Sequence, residues 1–224
     1  MVSITQLDGS PLKPGTLYAF GRTYADHAKE LNNPRPRSPF YFLKATSSLI
    51  GPGGSTPLPP GCEALTHEVE LVAVVGARND GPLSPFDAIK LVTGYGVGID
   101  YTDRRLQRNL RSQGHPWSRA KSFRGAAALS DIVPASSIMD PQDLELSLWV
   151  NDERRQHGCT RDLSWTVGEL VSFLTQSNDL HPGDLIFTGT PAGVGPVVPG
   201  DICRVALVGH IEATFSVVPP REGT

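Results

Sequence analysis

Short apolar runs, separated by clusters of glycine, proline and asparagine, dominate this chain, and only a few stretches carry a helical period. Leu17 to Gly21 and Phe40 to Lys44 are strand-length apolar runs. Glu68 to Gly76 is the clearest strand, because Val69, Val72, Val74 and Val75 favour extended backbone. Thr93 to Asp100 reads as a second strand, and its glycines imply that another backbone approaches closely. Leu144 to Val150, an Asn151-Asp152 turn and Arg154 to His157 predict a hairpin. Leu185 to Thr188, Ile202 to Val208 and Ile211 to Val218 complete the strands, the last two bracketing Gly209.

Helices are fewer. Thr23 fits an N-cap with Asp26 three residues on, opening a short helix that carries His27 and Glu30 and ends near Asn32-Asn33-Pro34. Thr102 to Gln113 predicts a polar helix capped by Thr102 or Asp103 and stopped by Gly114 and Pro116. Thr166-Val167-Gly168-Glu169 is a capping box, with Val167, Leu170, Val171 and Leu174 on one helical face. Gly51 to Gly61 reads as loop or turn only, and Gly189 to Pro196 as a glycine-rich loop. No internal repeat or linker divides the chain, so the pattern predicts one strand-rich α+β domain with few short helices.

Composition sharpens this picture. The chain has 224 residues with 23 glycines and 20 prolines, scattered between apolar runs, which means many turns rather than disorder. A formal net charge of −3 offers no bulk attraction to nucleic acid or anionic lipid. The longest apolar stretch, Leu71 to Gly76, is far short of the roughly 20 residues of a membrane helix. The start of the chain lacks a basic region followed by an apolar one, so no secretory signal is expected. Cys62, Cys159 and Cys203 lie far apart, which fits three reduced thiols in a cytoplasmic protein better than a disulfide framework or a thiolate zinc site.

The chemistry centres on carboxylates. Glu68 and Glu70, two apart on a strand, point to one face with alpha carbons roughly 6.6 Å apart. They stand immediately before a run that must be buried, and burying uncompensated carboxylates is costly without a cation or basic partner. Asp100 ends the next strand, so three carboxylates converge if the two strands are neighbours. Three hard oxygen donors suit Mg²⁺, Mn²⁺ or Ca²⁺ rather than zinc. His67 faces the other side of the strand and is not counted. Each residue alone has an ordinary reading: Glu-x-Glu as solvated glutamates, Asp100 as a turn residue, Lys121 as a surface lysine, Arg104 and Gln107 as the wet face of a helix.

Taken together, the motifs resemble a known family. Gly21-Arg22-Thr23-Tyr24-Ala25-Asp26-His27, Phe42-Leu43-Lys44, His67-Glu68-Val69-Glu70-Leu71 and Gly98-Ile99-Asp100-Tyr101-Thr102-Asp103-Arg104 occur in that order. Pro116-Trp117, Ala120-Lys121-Ser122-Phe123, Val150-Asn151-Asp152-Glu153 and Thr188-Gly189-Thr190-Pro191-Ala192-Gly193-Val194-Gly195 follow. This ordered set resembles the fumarylacetoacetate hydrolase family, in particular its short acylpyruvate and fumarylpyruvate hydrolase branch. The resemblance implies a mixed β-roll, usually dimeric, holding Mg²⁺ or a similar ion. It implies metal ligation by Glu68, Glu70 and Asp100, a water-activating dyad of His27 and Glu30, and an active-site lysine at Lys121. Arg104, Gln107 and Thr190 match positions that bind the substrate carboxylate or shape the pocket, and Lys44 matches a lysine near the site. Thr23, Ala45 and Arg105 depart from the residues usual there (asparagine, proline and, often, aspartate).

The implied activity is hydrolysis of a C–C bond in an acylpyruvate, releasing pyruvate and a carboxylic acid. A metal ion chelated by a keto acid acts as a Lewis acid, and His27 and Glu30, three apart, share a helical face. The same ion would also serve tautomerisation or decarboxylation of a keto acid such as oxaloacetate, or hydration or isomerisation. A catalytically silent scaffold with structural calcium is the non-enzyme alternative.

Overall fold

The structure is a computed structural model that describes residues 4–6, 9–25 and 36–221. In chain order its strands are β1 (Leu17–Phe20), β2 (Tyr41–Lys44), β3 (Leu49–Ile50), β4 (Ser55–Pro57), β5 (Leu65–His67), β6 (Val69–Val75), β7 (Val92–Asp100) and β8 (Ala127–Leu129). They continue with β9 (Val133–Pro134), β10 (Glu145–Val150), β11 (Glu153–Cys159), β12 (Leu185–Phe187), β13 (Gly195–Val197), β14 (Ile202–Leu207) and β15 (Ile211–Val218). The described α-helices are short: α1 (Pro85–Ala88), α2 (Arg104–Ser112), α3 (Ser118–Lys121) and α4 (Val167–Thr175). None is long and apolar enough to cross a membrane.

A mixed sheet runs β2-β1-β12-β6-β7-β8-β3, with β9 beside β7, and a second runs β11-β10-β14-β15-β4. A strand-rich α+β fold is therefore what the chain adopts. Alternation along β6 explains how the sheets stack. Val69, Leu71, Ala73 and Val75 join the large core shared with Leu146, Leu148, Val205, Leu207 and Phe215 of the second sheet. Val72 and Val74 join a smaller core with Leu17, Leu129, Leu185 and Phe187. Both faces of β6 are buried, which is why it reads as a continuous apolar run.

Glycines in β7 have a clear task. Gly94, Gly96, Gly98 and Asp100 share one face by the same alternation. A Cβ on Gly98 would stand 2.6 Å from the Ala128 carbonyl oxygen and 3.0 Å from both Phe187 and Val72. The stripe lets β8 and the smaller core close onto β7, and Asp100 is its last member.

Helix α4 opens on the capping box expected for it, with Thr166 and Glu169 exchanging both hydrogen bonds. Such a cap is worth about 1 kcal/mol. Asp103, not Thr102, caps α2, accepting from the Leu106 N–H at 2.9 Å. One expectation is corrected. Gly51 to Gly61 is not loop alone, because Ser55–Pro57 forms β4 and pairs parallel with β15. β4 is an edge strand, where the missing N–H of Pro57 is tolerated.

Candidate metal centre and cavity

Strands β6 and β7 are antiparallel neighbours, with Glu70 opposite Gly98 and Val69 opposite Ile99. One step further, the Asp100 N–H donates to the Glu68 carbonyl at 2.9 Å. Glu68 and Asp100 thus face each other at the strand ends, and Glu70 lies two residues along on the same face. Each of the three offers a carboxylate oxygen within 4.8 Å of the others, and all three residues are buried. The condition set by the sequence, that the two strands be adjacent, is met.

Three cations reach this cluster from other elements. Lys121, at the end of α3, places Nζ 2.8 Å from Glu68 Oε2 and 2.6 Å from Asp100 Oδ2. Lys44, the last residue of β2, places Nζ 2.5 Å from Asp100 Oδ1 and also donates to the Lys121 carbonyl. Arg104, the first residue of α2, pairs with Glu68 through Nη2 and donates to Gln107 Oε1 at 2.8 Å through Nη1. Its fork is therefore turned toward protein partners. Neither lysine is the solvated surface residue that its sequence context alone allows: both are only 2% exposed. Burial pushes the Lys121 ammonium down, but Asp100 and Glu68 outweigh it and hold the group above its ordinary value. At Lys44 burial wins over Asp100, and the group is lowered.

Glu70 differs from the other two carboxylates. No described cationic side chain lies within ion-pair distance of it, and its Oε2 accepts the Gly189 N–H at 2.7 Å. Burial, followed by Asp100 and Glu68, pushes its carboxyl well above the usual range, against the opposing pull of Lys121 and Gly189. A hard divalent cation fits this donor set: among the described residues three oxygens converge, one of them without a cationic side chain against it, and no thiolate or imidazole takes part.

The glycine-rich loop after β12 is pinned to the cluster. Gly189 has φ +96°, and a Cβ there would collide with the Thr23 hydroxyl. That hydroxyl donates to the Thr188 carbonyl at 2.7 Å, tying the loop to the chain after β1. Gln156, which the sequence did not mark, fastens the other side. Its amide donates to Thr190 Oγ1 at 2.8 Å and the Pro191 carbonyl at 3.0 Å; its oxygen accepts from the Val69 N–H at 3.0 Å and meets His67 Nδ1 at 2.9 Å. The amide is saturated and buried between exposed neighbours on β11. Nothing in the local pattern Glu-Arg-Arg-Gln-His distinguishes it.

Above the carboxylates opens a cavity of about 210 Å³, whose lining includes Arg104, Gln107, Lys121 and Thr190 together with Glu68 and Glu70. The volume is below the roughly 300–1,000 Å³ of drug-sized sites, so it suits a small molecule. Four of the positions expected at the substrate therefore meet around one space, with Lys44 and Asp100 behind them. His27 and Glu30 lie outside the described residues. Arg105 points away, its exposed guanidinium 3.8 Å from Glu63.

Comparisons with known proteins agree with this arrangement. The family model for the fumarylacetoacetate (FAA) hydrolase C-terminal domain matches residues 16–218. Oxaloacetate tautomerase FAHD1, mitochondrial, of Arabidopsis thaliana is 41% identical over 207 residues, 92% of each chain. Oxaloacetate tautomerase FAHD2, mitochondrial, of Oryza sativa subsp. japonica is 41% identical over 201 residues, 88% of each. The crystal structure of fumarylpyruvate hydrolase from Pseudomonas aeruginosa in complex with Mn²⁺ and pyruvate superposes with a TM-score of 0.92 at 35% identity, covering 97% of this chain and 96% of that one.

Proposed function

Since this chain belongs to the fumarylacetoacetate hydrolase family, we propose that it is a divalent-metal-dependent enzyme that interconverts the enol and keto forms of oxaloacetate. The observation that carries this reading is the floor of the cavity, where Glu68, Glu70 and Asp100 converge and no described cationic side chain pairs with Glu70. The similarity to two oxaloacetate tautomerases, each along most of both chains, supports the choice of reaction.

Glu68, Glu70 and Asp100 would hold Mg²⁺ or Mn²⁺, which when bound supplies Lewis-acid polarisation of a 2-keto acid. The side chains account for the rest. Three carboxylates meet three cations (Lys44, Lys121 and Arg104), so the floor is formally neutral before an ion binds and positive afterwards. That charge suits a dianionic keto acid. Lys121, kept protonated by Glu68 and Asp100, presents a buried ammonium to negative charge growing on a keto oxygen. Arg104, beside Gln107, is placed to share its guanidinium with an incoming carboxylate. His27, with Glu30 three residues on, is the group proposed to carry the C3 proton between enol and ketone.

The likeness to fumarylpyruvate hydrolase favours a second reading, in which His27 and Glu30 activate water and an acylpyruvate is cleaved. A substrate comparison separates the two. With metal-loaded protein, freshly dissolved enol-oxaloacetate is expected to ketonise faster than with the metal alone and without pyruvate release. Acetylpyruvate and fumarylpyruvate are expected to be cleaved far more slowly. Faster cleavage of an acylpyruvate than ketonisation of oxaloacetate would overturn the tautomerase reading in favour of the hydrolase.

A further inference from the structure

Strand β11 is irregular where it passes the glycine-rich loop. Arg154 pairs with Trp149 and Gln156 with Leu148, so Arg155 is an extra residue in the ladder. Such a bulge re-aims the side chains that follow it. Arg154 and Arg155 are both exposed, whereas Gln156 is only 1% exposed. Gly158, two residues on, shares its face, and a Cβ there would stand 2.6 Å from the Pro191 side chain. The strand is thus turned and cleared so that the Gln156 amide meets the loop that carries Thr190.

The direction of each hydrogen bond at this amide is fixed by its partners. The Val69 N–H can only donate, so it meets the Gln156 oxygen; the Pro191 carbonyl can only accept, so it meets the amino group. The other amino hydrogen goes to Thr190 Oγ1 at 2.8 Å. The Thr190 hydroxyl therefore accepts from Gln156, and its own proton must point elsewhere. Thr190 lines the cavity, and Gly189 before it donates to Glu70, so that proton is held close to the carboxylate floor. Gln107 is set by the same logic. The Arg104 guanidinium can only donate, so it meets the Gln107 oxygen and turns the amide hydrogens away from itself, in a residue that also lines the cavity.

We infer that Gln156 is a positioning residue, which occupies a lone pair of the Thr190 hydroxyl so that its proton is presented to an oxygen of the bound 2-keto acid. The inference rests on the reading of the cavity as a keto-acid site. In the keto form every oxygen of such an acid accepts and none donates, so a wall hydroxyl serves it only as a donor. A hydroxyl left to itself rotates to suit its surroundings, and the Pro191 carbonyl, once deprived of Gln156, would compete for its proton.

The test is a double-mutant cycle read by calorimetric binding of pyruvate to metal-loaded protein. Thr190→Val is expected to weaken binding about tenfold, as for one hydrogen bond to a charged acceptor. Thr190→Ser should stay within about twofold. Gln156→Met should also weaken binding about tenfold, although it leaves Thr190 in place. Gln156→Met combined with Thr190→Val should be no weaker than either alone, because both remove one bond. Gln156→Glu keeps an acceptor for Val69 and guards against misfolding of the Met variant. The charge it adds acts with or without the Thr190 hydroxyl, so it cancels in the cycle and leaves the same coupling. Metal should still raise the melting temperature of every variant, since Glu68, Glu70 and Asp100 are untouched.

Single effects that multiply to about a hundredfold in the double variant would show that Gln156 merely supports the fold, and would overturn the inference. So would a Gln156→Met variant that binds pyruvate like the parent, or a parent that binds none. Pyruvate binding is read separately from turnover of oxaloacetate. A coupled cycle without ketonisation would sink the tautomerase reading and leave the role of Gln156 standing; ketonisation with an uncoupled cycle would do the reverse.

Discussion

Replacing Glu70 with Gln is expected to abolish both the stabilisation that divalent metal confers and turnover, while leaving the metal-free protein at least as stable as the parent. Gln keeps the shape of the side chain and an oxygen that can accept the Gly189 N–H. It removes the one carboxylate of the three that has no described cationic side chain against it. A ligand present at a hundred times its dissociation constant stabilises by about 2.7 kcal/mol. For a chain of this size that is a rise in melting temperature of roughly 5–10 °C. The parent should show such a rise with Mg²⁺ or Mn²⁺, and the variant none.

The metal-free arm follows from the direction of the Glu70 shift. Its folded value is raised by burial and by Asp100 and Glu68. Its favourable contribution is therefore complete below the ordinary glutamate value, about 4.3, and is lost as pH rises through the higher folded value. The parent should lose stability over that window in the absence of metal, and Glu70→Gln should lose less. Calorimetric melting across pH, with and without metal, reads both effects. A variant that kept the full metal-induced rise would contradict the assignment of Glu70 as a ligand.

Lys121→Met is the second large effect, and its parts move in opposite directions. The ammonium is buried and pairs with Glu68 and Asp100 together. Taking one partner from a buried ion pair costs roughly 3–5 kcal/mol, because the carboxylates left behind remain desolvated. In a chain of this length that is roughly 10 °C in metal-free melting temperature. Metal should bind more tightly to the variant, since a competing cation has gone, and it should restore much of the lost stability. Turnover should nevertheless fall about 10²–10³-fold, as when a single donor to a developing oxyanion is removed. A titration monitored by metal-dependent melting, run beside a rate assay, separates these outcomes. Loss of metal affinity in step with turnover would show that Lys121 builds the metal site rather than serving the substrate.

Local pattern disclosed part of this arrangement. Glu68 and Glu70 share a face because a strand has a period of two, and the valines that follow them mark the strand. Asp100 joins them because Gly94, Gly96 and Gly98 carry the same period and only a closely approached strand tolerates them. The capping box at Thr166 and the hairpin around Asn151 are equally local, and both form as expected. Contacts across the fold left no local trace. Lys44 and Asp100 are 56 residues apart, and Lys121 and Glu68 are 53 apart. Lys121 sits in no apolar pattern that announces burial, and Lys44 only ends an apolar run, where a lysine is ordinarily solvated. Gln156 reaches Thr190 and the start of β6 from a strand whose neighbours are charged and exposed. The strand at Ser55–Pro57 was hidden by the glycines and prolines around it, because it survives only as an edge partner of β15. The ordered set of motifs is what points to Lys44, Lys121 and Arg104; the structure adds the reason, three cations against three carboxylates.

The most direct measurement is exchange of the C3 protons of oxaloacetate with deuterated solvent, followed by nuclear magnetic resonance. Metal-stripped protein, protein reconstituted with Mg²⁺, reconstituted Glu70→Gln and Mg²⁺ alone are compared. Enolisation at the Glu68, Glu70 and Asp100 centre predicts rapid exchange only in the reconstituted parent, with the other three samples at the rate of the ion in solution or below it. Equally rapid exchange by the metal-stripped protein, or by reconstituted Glu70→Gln, would contradict it.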